Sequence, residues 1–548
     1  MNDSLKQALE RSLEADRRLS FYGFSGLTES LSFPEFGHRV GELASQLQAL
    51  EVGPGTVVAV MGPTGLELAT ACAAVWMCEA TLTVLPTPTR LGNLESFLGQ
   101  TLEKLRRAQS SLLIGDEDTV SVFRDLASIP VLSWSALESE HRNGLRVDRS
   151  ELGGHRPALV QFSSGTTRDP QPILLSQQAL LHNSRAVLSR FPGGAAGQSC
   201  VSWLPLYHDM GLIGCFLMPL LAPSHLTLMG PEVFAARPMT WLEAISEQRG
   251  TTSSAPNFAL AYCADRISDE EKKHLDLSSW KISMVGAETV RPKTLRRFAQ
   301  AFQSVGFSER AFSPVYGLAE ATLAVTFSPL GEGLKSLHYD PEVLASSGRV
   351  ESGNSESPSL GRPLDGVSLE IRKGTQVVAE GELGDVWIKS PSLLSGYFQD
   401  GIRCPLKDGW LDTGDAGFVV DGDLYLYGRR RDILLLDGRN HDPDCLEEAA
   451  EGIEDLRRCC AFCLDVEASE RDDLVLLCEV ARGWEGALES LRDTVLSRCR
   501  REVNLIPDRV VLIAAGELPV TSSGKLRRAT AAAMFREQKF SQLETAAV

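Results

Sequence analysis

Five short stretches of the chain hold residue types suited to bringing a polyphosphate and a carboxylate together. The first, Gln161-Phe162-Ser163-Ser164-Gly165-Thr166-Thr167, follows an apolar run. A turn of glycine and small hydroxyl residues offers backbone N–H groups and side-chain O–H donors to an anion. It is not a Walker A loop, because no Gly-Lys-Ser/Thr follows. The second, residues 203–212, sets His208 and Asp209 between two apolar stretches, where a wall facing a buried substrate could lie. In the third, residues 314–320, the Tyr316 ring can stack on a base and the Glu320 carboxylate can hold Mg²⁺. The fourth, residues 410–415, ends in Asp415, an acceptor for ribose hydroxyls. The last, residues 518–525, places Lys525 on a Gly/Ser loop that can swing its charge into a distant site. Singly, each stretch has an ordinary structural explanation. These are a surface turn, a core-flanking histidine, a packed tyrosine, a polar turn between strands and a solvated lysine.

The elements that must position these residues alternate along the first part of the chain. Strands are expected at 56–61, 81–85, 111–114, 131–134 and 158–162, with a helix at 66–78. Residues 174–190 begin apolar and turn helical. Further strands are expected at 201–204, 226–229 and 282–285, and helices at 241–249 and 294–302. This alternation predicts a layered α/β body. The pattern then changes. Residues 367–372, 385–390, 417–420 and 424–427 read as antiparallel strands, with Asp421-Gly422 turning the last pair. The charged run Arg429, Arg430, Arg431, Asp432 reads as a hinge. Beyond it, strands at 459–464, 474–480 and 509–513 and helices at 487–504 and 526–536 predict a small α+β domain. The expected division is a body over residues 1–428 and a mobile cap over 429–548.

A chain of 548 residues exceeds what one core organises. Its net charge of -18 argues against nucleic acid or an anionic membrane as the main partner. The 12 cysteines lack the dense spacing of a disulfide framework, so a reducing compartment is expected. Cys460 and Cys463, beside Cys459, read as part of a buried strand rather than a metal site. The N-terminus lacks the apolar segment of a signal peptide. The apolar stretches 68–78 and 210–223 are too short to span a bilayer, and Pro219 interrupts the second. A cytoplasmic protein is expected.

In their order and spacing the five stretches resemble the adenylate-forming (ANL) superfamily: acyl-CoA synthetases, peptide-synthetase adenylation domains and luciferases. The wording of Trp203-Leu204-Pro205-Leu206-Tyr207-His208-Asp209-Met210-Gly211, of Ala255-Pro256-Asn257-Phe258, of residues 286–292 and of GRRRDILLLDGRNH at 428–441 is most similar to the fatty-acyl-AMP ligase branch. The resemblance implies the ANL fold, an α/β body with a β subdomain and a small mobile α+β cap. It also implies a two-step reaction. ATP and Mg²⁺ convert a fatty or other carboxylic acid to an acyl adenylate, and a thiol then takes the acyl group. By the same resemblance, Ser163, Ser164, Gly165, Thr166, Thr167 and Arg168 surround the phosphates, with Thr166 and Glu320 at the metal. Gly286, Ala287, Glu288, Tyr316 and Gly317 border adenine, and Asp415 and Arg429 hold the ribose. Lys525, His208 and Glu320 are the catalytic candidates, and Arg431 matches the hinge. The acyl pocket is expected around residues 208–218, 255–262 and 284–286.

The departures from the family pattern carry consequences. Where the phosphate loop usually continues Gly-x-Pro-Lys-Gly, this chain has Arg168-Asp169-Pro170-Gln171-Pro172. The loop lysine is replaced by neutral Gln171, and Arg168 is the nearby candidate to supply the missing charge. Near the hinge, Asp437, Asp442 and Cys445 depart from the branch's usual residues. Residues 339–359, polar and rich in Ser, Gly and Glu, resemble the branch's insertion and also fit a surface loop. That insertion points to the phosphopantetheine thiol of an acyl carrier protein as acceptor, rather than CoA. The alternatives are an acyl-CoA or aryl-CoA ligase, and a catalytically impaired relative that binds acyl groups or nucleotide.

Overall fold

The computed structural model describes residues 4–88, 94–138, 157–163, 171–191, 194, 197–398, 401–436, 439–464, 473–484, 486–503, 505–520 and 526–547. Two large, mainly parallel sheets form the framework. In one, Val57–Met61 lies between Thr81–Leu85 and Leu112–Gly115, all parallel; Leu159–Phe162 continues it beside Thr81–Leu85. The second is built around Ser199–Ser202, Thr252–Ala255, Ile282–Val285 and Phe312–Gly317, again parallel. These strands are buried along most of their length, which explains why they read as short apolar or small-residue runs without alternation.

Helices fill the layers between and outside the sheets. Leu66–Met77 is buried on nearly every side, consistent with its even apolar composition. Pro292–Phe302 is strongly amphipathic and drives Leu295, Phe298 and Phe302 into an aromatic cluster with Trp280 and Phe307. The expected strand at 201–204 starts two residues earlier, at Ser199: Ser199, Cys200 and Val201 are buried and pair with His225, Leu226 and Thr227, and Cys200 also pairs with Thr252. The strands Arg18–Gly23 and Gly26–Ser32, which form an edge hairpin, and the strand Thr252–Ala255 were not expected from the sequence.

The antiparallel region appears as a five-stranded sheet among the described residues, with Leu411–Val420 paired to Asp423–Arg429 around the Asp421-Gly422 turn. Residues 339–359 are more than a loop. Ser336–Tyr339 pairs with Ser355–Pro358, and helix Pro341–Ser347 lies between them, capped by Asp340. Tyr339 is buried against Phe418.

Residues after 432 form a separate four-stranded sheet, Leu456–Leu464, Asp473–Val480, Arg509–Ile513 and Gln542–Ala547, with apolar clusters on both faces. Cys459 and Cys460 are buried in its first strand, and Cys459 Sγ lies 3.5 Å from Cys478 Sγ across the ladder. Asp442 is the N-cap of helix Pro443–Ala450, its side chain accepting from Asp444 N, which gives that departure a local structural role. This part of the chain is docked on the body. Asp444 accepts from Thr289 Oγ1 and Glu451 pairs with Arg291, while within the C-terminal part Arg528 pairs with both Asp444 and Glu447. Among the described residues no helix is long and apolar enough to cross a membrane.

Candidate active site

The strand Phe312–Gly317, paired on both sides, carries Tyr316 near its C-terminal end, and the single helical turn Ala319–Ala321 that follows presents Glu320. The path between them is tight. A Cβ on Gly317 would lie 1.8 Å from Leu323 O, so only glycine fits. Thr322 has φ +74°, a strained value for a β-branched residue, and is held by its Oγ1 donating to Ser392 O.

Tyr316 Oη donates to Asp415 Oδ2 at 2.5 Å, and Arg429 Nε lies 3.3 Å from Asp415 Oδ1. Asp415 and Arg429 are direct cross-strand partners, so the sheet register itself delivers the pair. Burial, reinforced by the neighbouring carboxylate, pushes the Tyr316 phenol well above its ordinary range and keeps it a donor. Glu320 accepts from Tyr397 Oη at 3.0 Å. Burial raises its carboxyl above the usual range, while the Tyr397 hydrogen bond and the Arg429 charge work against that. A buried carboxylate of this kind gains by meeting a hard cation, so the residue fits a Mg²⁺ ligand. Among the described residues no group of three acidic, His or Cys side chains could hold a metal by itself. A Mg²⁺ ion that keeps its waters and substrate phosphates needs no such group.

His208 and Asp209 stand at the entry of a π-helical segment, Met210–Leu217, with His208 Nδ1 2.7 Å from Asp209 Oδ1. Gly211 passes so close to Pro205 O that a Cβ would lie 2.2 Å from it. Gln161 Nε2 donates to Tyr207 O at 2.9 Å and ties this segment to the strand before the phosphate loop. The loop's base is closed by Ser163 N donating to Gln171 O and Gln171 N donating to Ser163 Oγ, both at 3.0 Å.

One cavity of about 420 Å³ joins these groups: Ser163, His208, Ala287, Tyr316, Gly317, Glu320, Arg429 and Arg431 all line it. Asp415 reaches it through Tyr316 and Arg429. Ala287 adopts φ +68° at its rim. Gly286 packs behind that turn against Val315, and Glu288 accepts from Phe258 N at 2.6 Å at the start of helix Asn257–Arg266. Ser164, Gly165, Thr166, Thr167, Arg168 and Lys525 lie outside the described residues, as does Asp437.

Among the cavity residues that escaped the sequence are Tyr397 and Arg403. The two are cross-strand partners in the short hairpin strands Gly396–Phe398 and Ile402–Arg403, and Tyr397 pairs in turn with Ile173 beside Gln171. No periodicity marks these few residues. Away from the nucleotide end the cavity continues as a channel past Met284, Val315, Leu323, Met218 and Val187. Phe258 is not in it. That ring packs edge-on to Trp203, at 6.0 Å, in the aromatic cluster beneath. Helix Gln177–Leu188 and the strand residues Thr252 and Ser254 supply walls that the expected 255–262 segment does not.

Residues 9–398 match the model of the AMP-binding enzyme family. A protein of Caulobacter vibrioides bearing the name of an acyl-CoA synthetase is 32% identical over 542 residues, covering 96% of this chain and 94% of its own. The medium-chain-fatty-acid–[acyl-carrier-protein] ligase JamA of Moorena producens is 29% identical, covering 94% of this chain and 91% of its own. A solved structure from work on fatty acyl-adenylate ligases of E. coli and L. pneumophila superposes with a TM-score of 0.88 at 29% identity, covering 98% of each chain.

Proposed function

Because the chain belongs to the AMP-binding enzyme family, we propose that it condenses a fatty or similar apolar acid with ATP to an acyl adenylate and passes the acyl group to the phosphopantetheine thiol of an acyl carrier protein. The observation that carries this reading is the single cavity in which Tyr316, Glu320 and Arg429 meet the mouth of an apolar channel at His208. In the first step a carboxylate oxygen bonds to the α-phosphorus, and the bond to the bridging oxygen breaks, releasing pyrophosphate. In the second, the carrier thiol attacks the acyl carbon, loses its proton, and AMP leaves.

Tyr316 packs along adenine, and Asp415 with Arg429 holds the ribose. His208 orients the reacting carboxylate at the channel mouth. Glu320, with Thr166 by the family resemblance, would hold Mg²⁺, which would supply charge to neutralise the phosphates. Replacing Glu320 by glutamine keeps the shape but removes the charge. Glu320→Gln is therefore expected to raise the Mg²⁺ concentration for half-maximal activity by at least about tenfold, since a charge-assisted contact is lost. An unchanged Mg²⁺ titration would remove Glu320 from that role.

The charge missing at Gln171 comes in this reading from Arg403, which lines the same cavity. Arg403→Ala is expected to raise KM for ATP by about tenfold and leave KM for the acid unchanged. Adding Gln171→Lys to that variant should recover most of the loss. Failure of the lysine to rescue would return the role to Arg168.

Acyl carrier protein rather than CoA is the acceptor in this reading. It is supported by the folded 336–358 insertion and the likeness to fatty acyl-adenylate ligases. The name of the C. vibrioides relative favours the CoA alternative. Trapped acyl adenylate offered CoA or a holo carrier protein separates the two by which thioester forms.

A further inference from the structure

One wall of the far end of the acyl channel is polar. The channel runs along one face of the second sheet, from Met284 and Ser254 back to Thr252 and Cys200, which are register partners, and on to Gln198 and Ser224. Gln198 precedes the strand Ser199–Ser202 and Ser224 precedes the strand His225–Met229, so both stand at the sheet's N-terminal edge. Val187, Leu188, Phe191, Met218 and Pro219 form the opposite, apolar wall.

Gln198 is oriented by its neighbours. Its Oε1 accepts from Thr251 Oγ1 at 2.6 Å, which leaves the Nε2 donors as the free end of the amide. Thr252 is 4% exposed and lines the channel two residues nearer the nucleotide. Among the described residues no acidic or basic side chain lines this end. A plain methylene tail would leave the Gln198 amide facing hydrocarbon, and a charged tail would find no counter-ion. A neutral tail that both accepts and donates would match Gln198 and Thr252.

We propose, building on the adenylation reading above, that the channel selects an acid whose remote end bears a hydroxyl or similar neutral hydrogen-bonding group. Register gives the length. Val285 is level with Ala255, and Gln198 lies five residues back along the strand direction, about 17 Å at about 3.3 Å per residue. An extended chain advances about 1.3 Å per carbon from bonds of about 1.5 Å, so about 10–14 carbons fill the span.

The test is pyrophosphate release by the full-length protein with dodecanoate, 12-hydroxydodecanoate and dodecanedioate. The hydroxy acid is expected to exceed the plain acid at least tenfold in kcat/KM, with the diacid poorest. Gln198→Leu should bring the ratio to within about threefold by lowering kcat/KM for the hydroxy acid, since a donor built for a hydroxyl discriminates only while it is present. Because Gln198 also anchors Thr251, Thr252→Val provides a second, nearly isosteric reduction of the ratio. A wild-type protein that uses dodecanoate as well as the hydroxy acid overturns the inference and leaves adenylation standing. No pyrophosphate release with any of the acids overturns adenylation, and this inference with it.

Discussion

Replacing Lys525 by alanine is expected to cut adenylate formation by about 10²–10³-fold while leaving acyl transfer from preformed adenylate largely intact. The first step brings an anionic carboxylate against a polyanion, so its barrier is dominated by charge that must be neutralised as the two approach. Transfer begins from a mixed anhydride in which that repulsion is already gone. Lys525 lies outside the described residues, but Val520 and Leu526, which flank that stretch, form a bridge. Three residues beyond Lys525, Arg528 pairs with Asp444, Asp444 meets Thr289, and Thr289 is two residues from Ala287 at the cavity rim. Single-turnover assays of each step, starting from free acid and from isolated acyl adenylate, check the prediction. Equal loss in both steps would show that Lys525 serves something other than charge neutralisation in the first.

The strands and helices that read clearly from sequence are those whose burial is uniform. Val57–Met61, Leu66–Met77 and Thr81–Leu85 are apolar throughout and are found where the pattern puts them. Thr252–Ala255 is just as buried but is made of Thr, Ser, Ser and Ala. Its side chains are small because a channel runs along it, and small polar residues give no hydrophobic signal. The same applies to the site. Tyr316, Glu320 and Asp415 stood out because their spacing within motifs is local. Tyr397 and Arg403 reach the cavity only through pairing with Ile173, more than two hundred residues earlier in the chain, and no window along the sequence contains that fact. Gly317 and Gly211 carry a related lesson. Their necessity lies in what approaches them, Leu323 O and Pro205 O, rather than in any turn that their neighbours specify. Glu288 shows the reverse case. Its motif placed it by the adenine, yet the carboxylate itself is engaged by Phe258 N.

Asp415 is where the second large effect is expected. It is 5% exposed and does two jobs at once, accepting from Tyr316 Oη and pairing with Arg429. Asp415→Ala strips both partners. The phenol loses its acceptor in a place where it cannot ionise, and Arg429 keeps its charge without the counter-charge facing it across the ladder. Arg429 is 42% exposed, so solvent screens the loss of its counter-charge, and the buried phenol left without an acceptor carries the larger cost, about 1–3 kcal/mol. If the ribose contacts reside here, KM for ATP should rise by at least about a hundredfold, with KM for the acid moving far less. Tyr316→Phe isolates one of the two functions. It removes a hydroxyl, leaves the ring to pack and keeps Asp415 with Arg429, so its loss should stay within about tenfold. Asp415→Asn should fall between, since it preserves shape and one acceptor but not the charge. That order, alanine worst and phenylalanine mildest, requires Asp415 to act as the hub of nucleotide binding. If Tyr316→Phe proves as damaging as Asp415→Ala, the hydroxyl rather than the carboxylate makes the essential contact. Isothermal titration with ATP, run beside thermal melts of each variant, separates weakened binding from weakened folding.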